Sequence, residues 1–192
     1  MSKVLREITP ISDRDCFYIV DRYKSEFVYP IHSHKEFELN FIEHGKGVRR
    51  VVGDSIEEIG DFELTLITGD GLEHAWEQGS NANKDMREIT IQFSDTLLDE
   101  RLLGRNQFSD IRKMFADARL GVTFSMTTIA KVYNLLVFTY FDLPTAESPI
   151  KIIFKSAFCL KNSSSFNSVD DIFFPLLASF CVSDISLFLF KN

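Results

Sequence analysis

Three of the chain's four histidines fall in "YPIHSHKEFELNFIEHGKG", which runs from Tyr29 to Gly47. His32 and His34 are two residues apart, and Glu38 follows His34 at a distance of four. Neutral imidazole nitrogens and a carboxylate oxygen are the donors that a first-row divalent metal takes. The remaining histidine, His74, stands in "GDGLEHAW" with Trp76 two residues on. Three chemistries are open to these side chains. His32, His34, Glu38 and His74 can hold a divalent metal. The same groups, with Glu36 and Trp76, can line a metal-free pocket that binds a small molecule by hydrogen bonds and stacking. Or they form a polar strand face that meets water, as antiparallel sheets often do. No residue is assigned a catalytic role.

The elements that must position these groups read as strands and turns. From Tyr29 to Ile42, His32, His34, Glu36, Glu38 and Asn40 occupy even positions, and Phe37, Leu39 and Phe41 occupy odd ones. In one continuous strand this puts the polar set on one face and the apolar set on the other. "CFYIVDR", the segment after Gly47, "GDFELTLITGDG" and "REITIQF" read as further strands between glycine turns, the signature of a sandwich or barrel. In "REITIQF", Ile89, Ile91 and Phe93 share one face and Glu88, Thr90 and Gln92 the other. Arg49 and Arg50 point to opposite faces of their strand and read as solvated charges. After Phe93 the period becomes helical. Ile111, Met114, Phe115 and Ala118 form one stripe, with Ser109 as N-cap and Gly121 as the terminating glycine. Ile129, Val132, Tyr133 and Leu136 form a second, with Ser125 as N-cap.

The composition sets bounds on function. The chain has 192 residues, 45% of them hydrophobic and 26% charged, room for one domain with a core, or for a domain plus an appendage. Its net charge of -7 makes it a poor partner for nucleic acid by itself, since phosphate contacts need clustered Lys and Arg. Cys16, Cys159 and Cys181 are odd in number and widely spaced, which suits a reducing compartment and no zinc ribbon. The polar start "MSKVLREITPISDRD" lacks a signal-peptide core. "IFFPLLASFCVSDISLFLF" is broken by Pro175 and Asp184 and reads as too short in its uncharged run to span a membrane. The expected location is the cytoplasm.

The spacing His32–x–His34, three residues, Glu38, six residues, Gly45 resembles the first cupin motif. Gly60 to His74 resembles the second, ending in the step Gly71–Leu72–Glu73–His74. Glu26 stands where the first motif has a glycine and Gly69 where the second has a proline. A wider resemblance, from about Cys16 to Leu136, is to the N-terminal sensor half of AraC-type transcription regulators. It implies a mainly β fold, a cupin (double-stranded β-helix or jelly-roll) barrel followed by two or more α-helices. It also implies that the barrel binds a small effector, often a sugar, and that the helices mediate dimerisation.

The expected domains are therefore a cupin-like effector-binding barrel over 1–93, a helical dimerisation and packing segment over 94–142, and an atypical tail over 143–192. The tail has no Arg or His and is crowded with Phe and Ser. It is expected to be a frameshifted or decayed remnant rather than the helix-turn-helix domain of the family. The expected function is effector sensing and dimerisation, as a homodimer or with related regulators, without DNA binding by this chain and without a membrane partner. No cofactor is required, and a divalent metal is the one that the site residues would accept. The competing expectation is a small metal-dependent cupin enzyme, such as a dioxygenase or isomerase.

Overall fold

The computed structural model describes residues 4–12, 15, 17–79, 83–98, 100–141 and 188–189. In chain order its elements are β1 (Leu5–Arg6), β2 (Phe17–Lys24), β3 (His32–Ser33), β4 (Phe37–Glu43), β5 (Arg49–Val52), β6 (Ser55–Glu58), β7 (Phe62–Ile67), β8 (His74–Glu77) and β9 (Met86–Phe93). Then come α1 (Glu100–Leu103), α2 (Ser109–Asp117), β10 (Val122–Thr123), α3 (Met126–Phe141) and β11 (Phe188–Leu189). The fold is mainly β. One sheet has the order β1-β3-β8-β5-β6 and the other β11-β10-β7-β4-β9-β2. The described pairings are antiparallel except β1 with β3.

The expected single strand from Tyr29 to Ile42 is two strands in different sheets. His32 and Ser33 pair in the first sheet, the chain bends through Lys35 and Glu36, and β4 starts at Phe37 in the second. His32 and Glu38 therefore approach each other from opposite sheets rather than along one strand face.

Within the six-stranded sheet the period-2 reading holds. Leu39 and Phe41 of β4 and Ile89, Ile91 and Phe93 of β9 join Leu64 and Leu66 of β7 on one face. Helix α2 packs Ile111 and Met114 on that face, and α3 packs Ile129 and Val132. Tyr133 of α3 contacts the rings of Phe41 and Phe62 and donates its hydroxyl to Glu43 at 3.3 Å. The opposite face looks at the first sheet. There Ile42 and Ile67 meet Val48, Val52, Ile59 and Trp76 in a second apolar cluster.

Ser125 caps α3, its hydroxyl accepting the Thr128 N–H at 3.3 Å. Ser109 does not cap α2. It is the first helical residue, and Phe108 holds the cap position because a short 3-10 turn, Asn106–Phe108, runs directly into the helix. Gly121 ends the turn after α2 with φ 84°. At Gly45 a Cβ would meet Ile42 Cγ2 at 2.6 Å and Ile59 Cδ1 at 2.8 Å, so only glycine lets the turn after β4 close on the core.

Arg50 departs from its expected solvated state. Its side chain is 4% exposed and bridges the sheets, 2.9 Å from Glu63 of β7 and 2.5 Å from Glu57 of β6. Arg49, on the other face, is exposed and pairs with Glu77 at 2.7 Å. Among the described residues no helix is long and apolar enough to cross a membrane. The expectations for the tail and its apolar run fall outside the described residues. The exception is β11, whose Phe188 and Leu189 pair with Thr123 and Val122.

Candidate functional site

His32 and His74 are directly opposed in the β3–β8 pair, and their ring centroids are 4.3 Å apart. His34, just past β3, brings its ring centroid within 4.8 Å of His74. Glu38 reaches across from β4. One donor atom from each of His32, His34, Glu38 and His74 lies within 4.8 Å of all the others, and all four residues are buried.

The imidazoles share one hydrogen-bonding pattern. His32 donates its Nδ1–H to the Pro30 carbonyl at 3.0 Å, His34 to Glu36 at 2.9 Å and His74 to Leu72 at 2.8 Å. A carbonyl only accepts, so each Nδ1 carries a proton and each Nε2 points inward, open to a second proton or to a cation. Backbone carbonyls holding the outer ring nitrogen are how metal-ligating histidines are oriented. His34 Nε2 is 3.0 Å and His74 Nε2 3.9 Å from Glu38 oxygens. Among the described residues His74 Nε2 has no hydrogen-bond partner.

The charges follow from burial and proximity. Burial disfavours ionised Glu38, yet its hydrogen bond to His34 and the three imidazoles outweigh this and hold its pKa down to about 2. Burial likewise opposes protonation of His34, but the hydrogen bond and charge of Glu38 raise it. Burial dominates at His74 and depresses it to about 4. The donor types are those a divalent cation takes, but the set is wider than a closed coordination shell, with His74 Nε2 3.9 Å from Glu38 and the four donor atoms spread over up to 4.8 Å. Two donors each about 2.1 Å from one ion and 90–115° apart are separated by roughly 3.0–3.5 Å.

Above this cluster, between the sheets, lies a cavity of about 210 Å³. His32, Glu38 and Trp76 line it, together with Glu7, Asn40, Gln92, Tyr29, Phe27, Glu88 and the β2 residues Tyr18, Val20, Arg22 and Lys24. His34 and His74 do not line it and sit behind. Glu36 is not brought to the site. The bend between β3 and β4 turns it outward, where it accepts a hydrogen bond from Thr9 at 3.1 Å.

Several lining residues escaped sequence reasoning. Gln92 donates Nε2 to Glu38 at 3.0 Å and to Glu7 at 3.4 Å, and Asn40 donates Nδ2 to Thr90 at 3.1 Å and Glu88 at 3.3 Å. Because carboxylates only accept, both amides are fixed, and Asn40 Oδ1 and Gln92 Oε1 are left without a partner among the described residues. So is the indole N–H of Trp76. The polar half of "REITIQF" was the signal for Gln92. Glu7 had none, because only the β1–β3 pairing brings it near His32.

No family model matches the chain, and no curated protein matches it. Among solved structures it is similar to ToxT from Vibrio cholerae at 12% identity and a TM-score of 0.43, over 75% of this chain and 55% of that one. It is also similar to ToxT bound to (E)-4-(8-methylnaphthalen-1-yl)but-3-enoic acid at 16% identity and a TM-score of 0.42, over 88% of this chain and 65% of that one. The chain thus spans less than two thirds of the length of these structures.

Proposed function

We propose that the two sheets form a cupin-like barrel that senses a small polyhydroxylated molecule, as the sensor half of a regulator does. The observation that carries this reading is the set of buried polar atoms on cavity-lining side chains without partners among the described residues: two amide oxygens, Asn40 Oδ1 and Gln92 Oε1, and one donor, Trp76 Nε1. Leaving such atoms buried and unpaired costs about 1–3 kcal/mol each. A ligand that supplies both donors and acceptors removes that cost, and hydroxyl groups do both. The cavity holds roughly seven water volumes at about 30 Å³ each, a fit for a monosaccharide-sized guest. The lining mixes Glu7, Glu38 and Glu88 with Arg22 and Lys24, which favours a neutral guest over a strongly charged one. Helices α1–α3 are assigned to packing and dimerisation, and the chain is assigned no DNA contact of its own. Thermal stabilisation by members of a sugar panel tests the reading. A mobility-shift assay that finds specific DNA binding by this chain contradicts the last assignment.

A second reading is favoured by the backbone carbonyls that hold all three imidazoles by Nδ1 and leave Nε2 inward. His32, His34, Glu38 and His74 would hold a divalent cation at the floor of the cavity, where it would polarise an oxygen of the bound molecule. Coupled to chemistry, that makes a small metal-dependent enzyme. Elemental analysis of the purified protein against a His32→Ala/His34→Ala variant separates the two readings. Stoichiometric metal lost in the variant favours the cation site.

A further inference from the structure

We propose that Glu7 supplies a fifth donor to the cation site, so that a bound divalent ion ties the N-terminal strand to the two sheets. This rests on the reading in which His32, His34, Glu38 and His74 hold a cation. Glu7 follows β1, and its backbone N–H donates to the Ser33 carbonyl at 2.9 Å, beside the Leu5 N–H to Ile31 bond at 3.2 Å. This anchors its carboxylate over the cavity, where Oε2 stands 3.5 Å from His32 Nε2.

That contact calls for a proton or a cation between the two groups. The His32 Nδ1–H is committed to Pro30, so a neutral ring turns a lone pair toward a carboxylate oxygen. The same choice between a proton and a cation arises between His34 and Glu38 at 3.0 Å. A cation between the groups converts both contacts into ligation. Gln92 Nε2 holds the two carboxylates together, 3.4 Å from Glu7 and 3.0 Å from Glu38. Charge agrees as well. Three neutral imidazoles and two carboxylates carry -2, which balances a divalent ion, whereas Glu38 alone leaves a buried excess charge.

The test is cobalt(II) titration of the full chain by calorimetry, with hydrogen exchange of the segment 4–12 measured with and without the ion. Wild type is expected to bind one cobalt per chain and to gain protection at Leu5–Glu7. Glu7→Gln is expected to bind at least about tenfold more weakly and to gain no protection there. Glu7→Asp, which keeps the charge and shortens the reach, is expected to fall between them. Glu7→Gln with wild-type affinity and wild-type protection overturns the proposal. If Glu38→Gln loses cobalt while Glu7→Gln keeps it in full, Glu7 is no ligand and the four-residue site stands. If wild type takes up no cobalt, the cation site itself falls and this proposal falls with it.

Discussion

His34 Nε2 lies 3.0 Å from Glu38 Oε2, inside the molecule, with the other ring nitrogen of His34 already donating to a backbone carbonyl. The pair resolves its electrostatics by a proton on His34 or by a cation shared with its neighbours. Removing one side leaves the other buried and unpaired. Glu38→Leu is expected to destabilise the fold by about 3–5 kcal/mol, read by chemical denaturation. A change below about 1 kcal/mol contradicts the pairing.

Acid and base should both weaken the cation-free protein. The His34 pKa is raised above 6.5, so its contribution is complete below 6.5 and is lost as pH rises through the raised value. The His74 pKa is depressed from 6.5 to about 4, so the unfolded chain takes up this proton first and stability falls as pH drops from 6.5 toward 4. Glu38 adds a loss at lower pH, between 4.5 and about 2. Denaturation midpoints from pH 4 to 9 in chelator are expected to peak near 6.5, and His74→Gln to flatten the arm between 6.5 and 4. An unchanged acid arm in that variant contradicts the assignment to His74.

The Arg50–Glu63 bridge joins the two sheets with both side chains under a tenth exposed. Arg50→Met alone is expected to cost about 3–5 kcal/mol because it strands a buried carboxylate, while Arg50→Met with Glu63→Leu recovers much of that loss. A double variant no more stable than the single one contradicts this account.

Much of the layering was legible in the sequence. The alternation in β4 and β9 separated Leu39, Phe41, Ile89 and Ile91, which lie under the helices, from Glu38, Asn40 and Gln92, which face inward. Residue type, spacing and the motif resemblance also selected His32, His34, Glu38 and His74, which the fold brings together. What spacing could not carry was the crossing between sheets. Period-2 counting assumes an unbroken strand, and the bend at Lys35 and Glu36 turned Glu36 away from the site. Long-range pairing was equally hidden. Glu7 reaches the cavity through a two-residue parallel pair, and Arg50 is buried by strands on the opposite sheet, neither of which leaves a local pattern.

Gly69 stands where the resembled motif has proline, and the structure gives a reason. A Cβ there would lie 2.5 Å from the Arg119 carbonyl, just after α2. Thr68 adds to this seam, donating its N–H to Ala118 at 2.9 Å and its hydroxyl to Phe115 at 2.6 Å. Gly69→Ala is expected to destabilise by about 1–3 kcal/mol through overpacking, with hydrogen-exchange protection falling in both the loop before His74 and the end of α2. Loss confined to one of them contradicts the packing of these segments as one unit.

The central claim is that the cavity between the sheets takes a small polyhydroxylated guest through Asn40, Gln92 and Trp76. Its most direct measurement is calorimetric titration of a panel of monosaccharides and polyols into wild type and Gln92→Leu. The account predicts saturable binding of at least one member to wild type, weakened at least about tenfold in the variant by loss of the amide contacts. Binding that is equal in the two proteins, or absent for the whole panel in wild type, contradicts it.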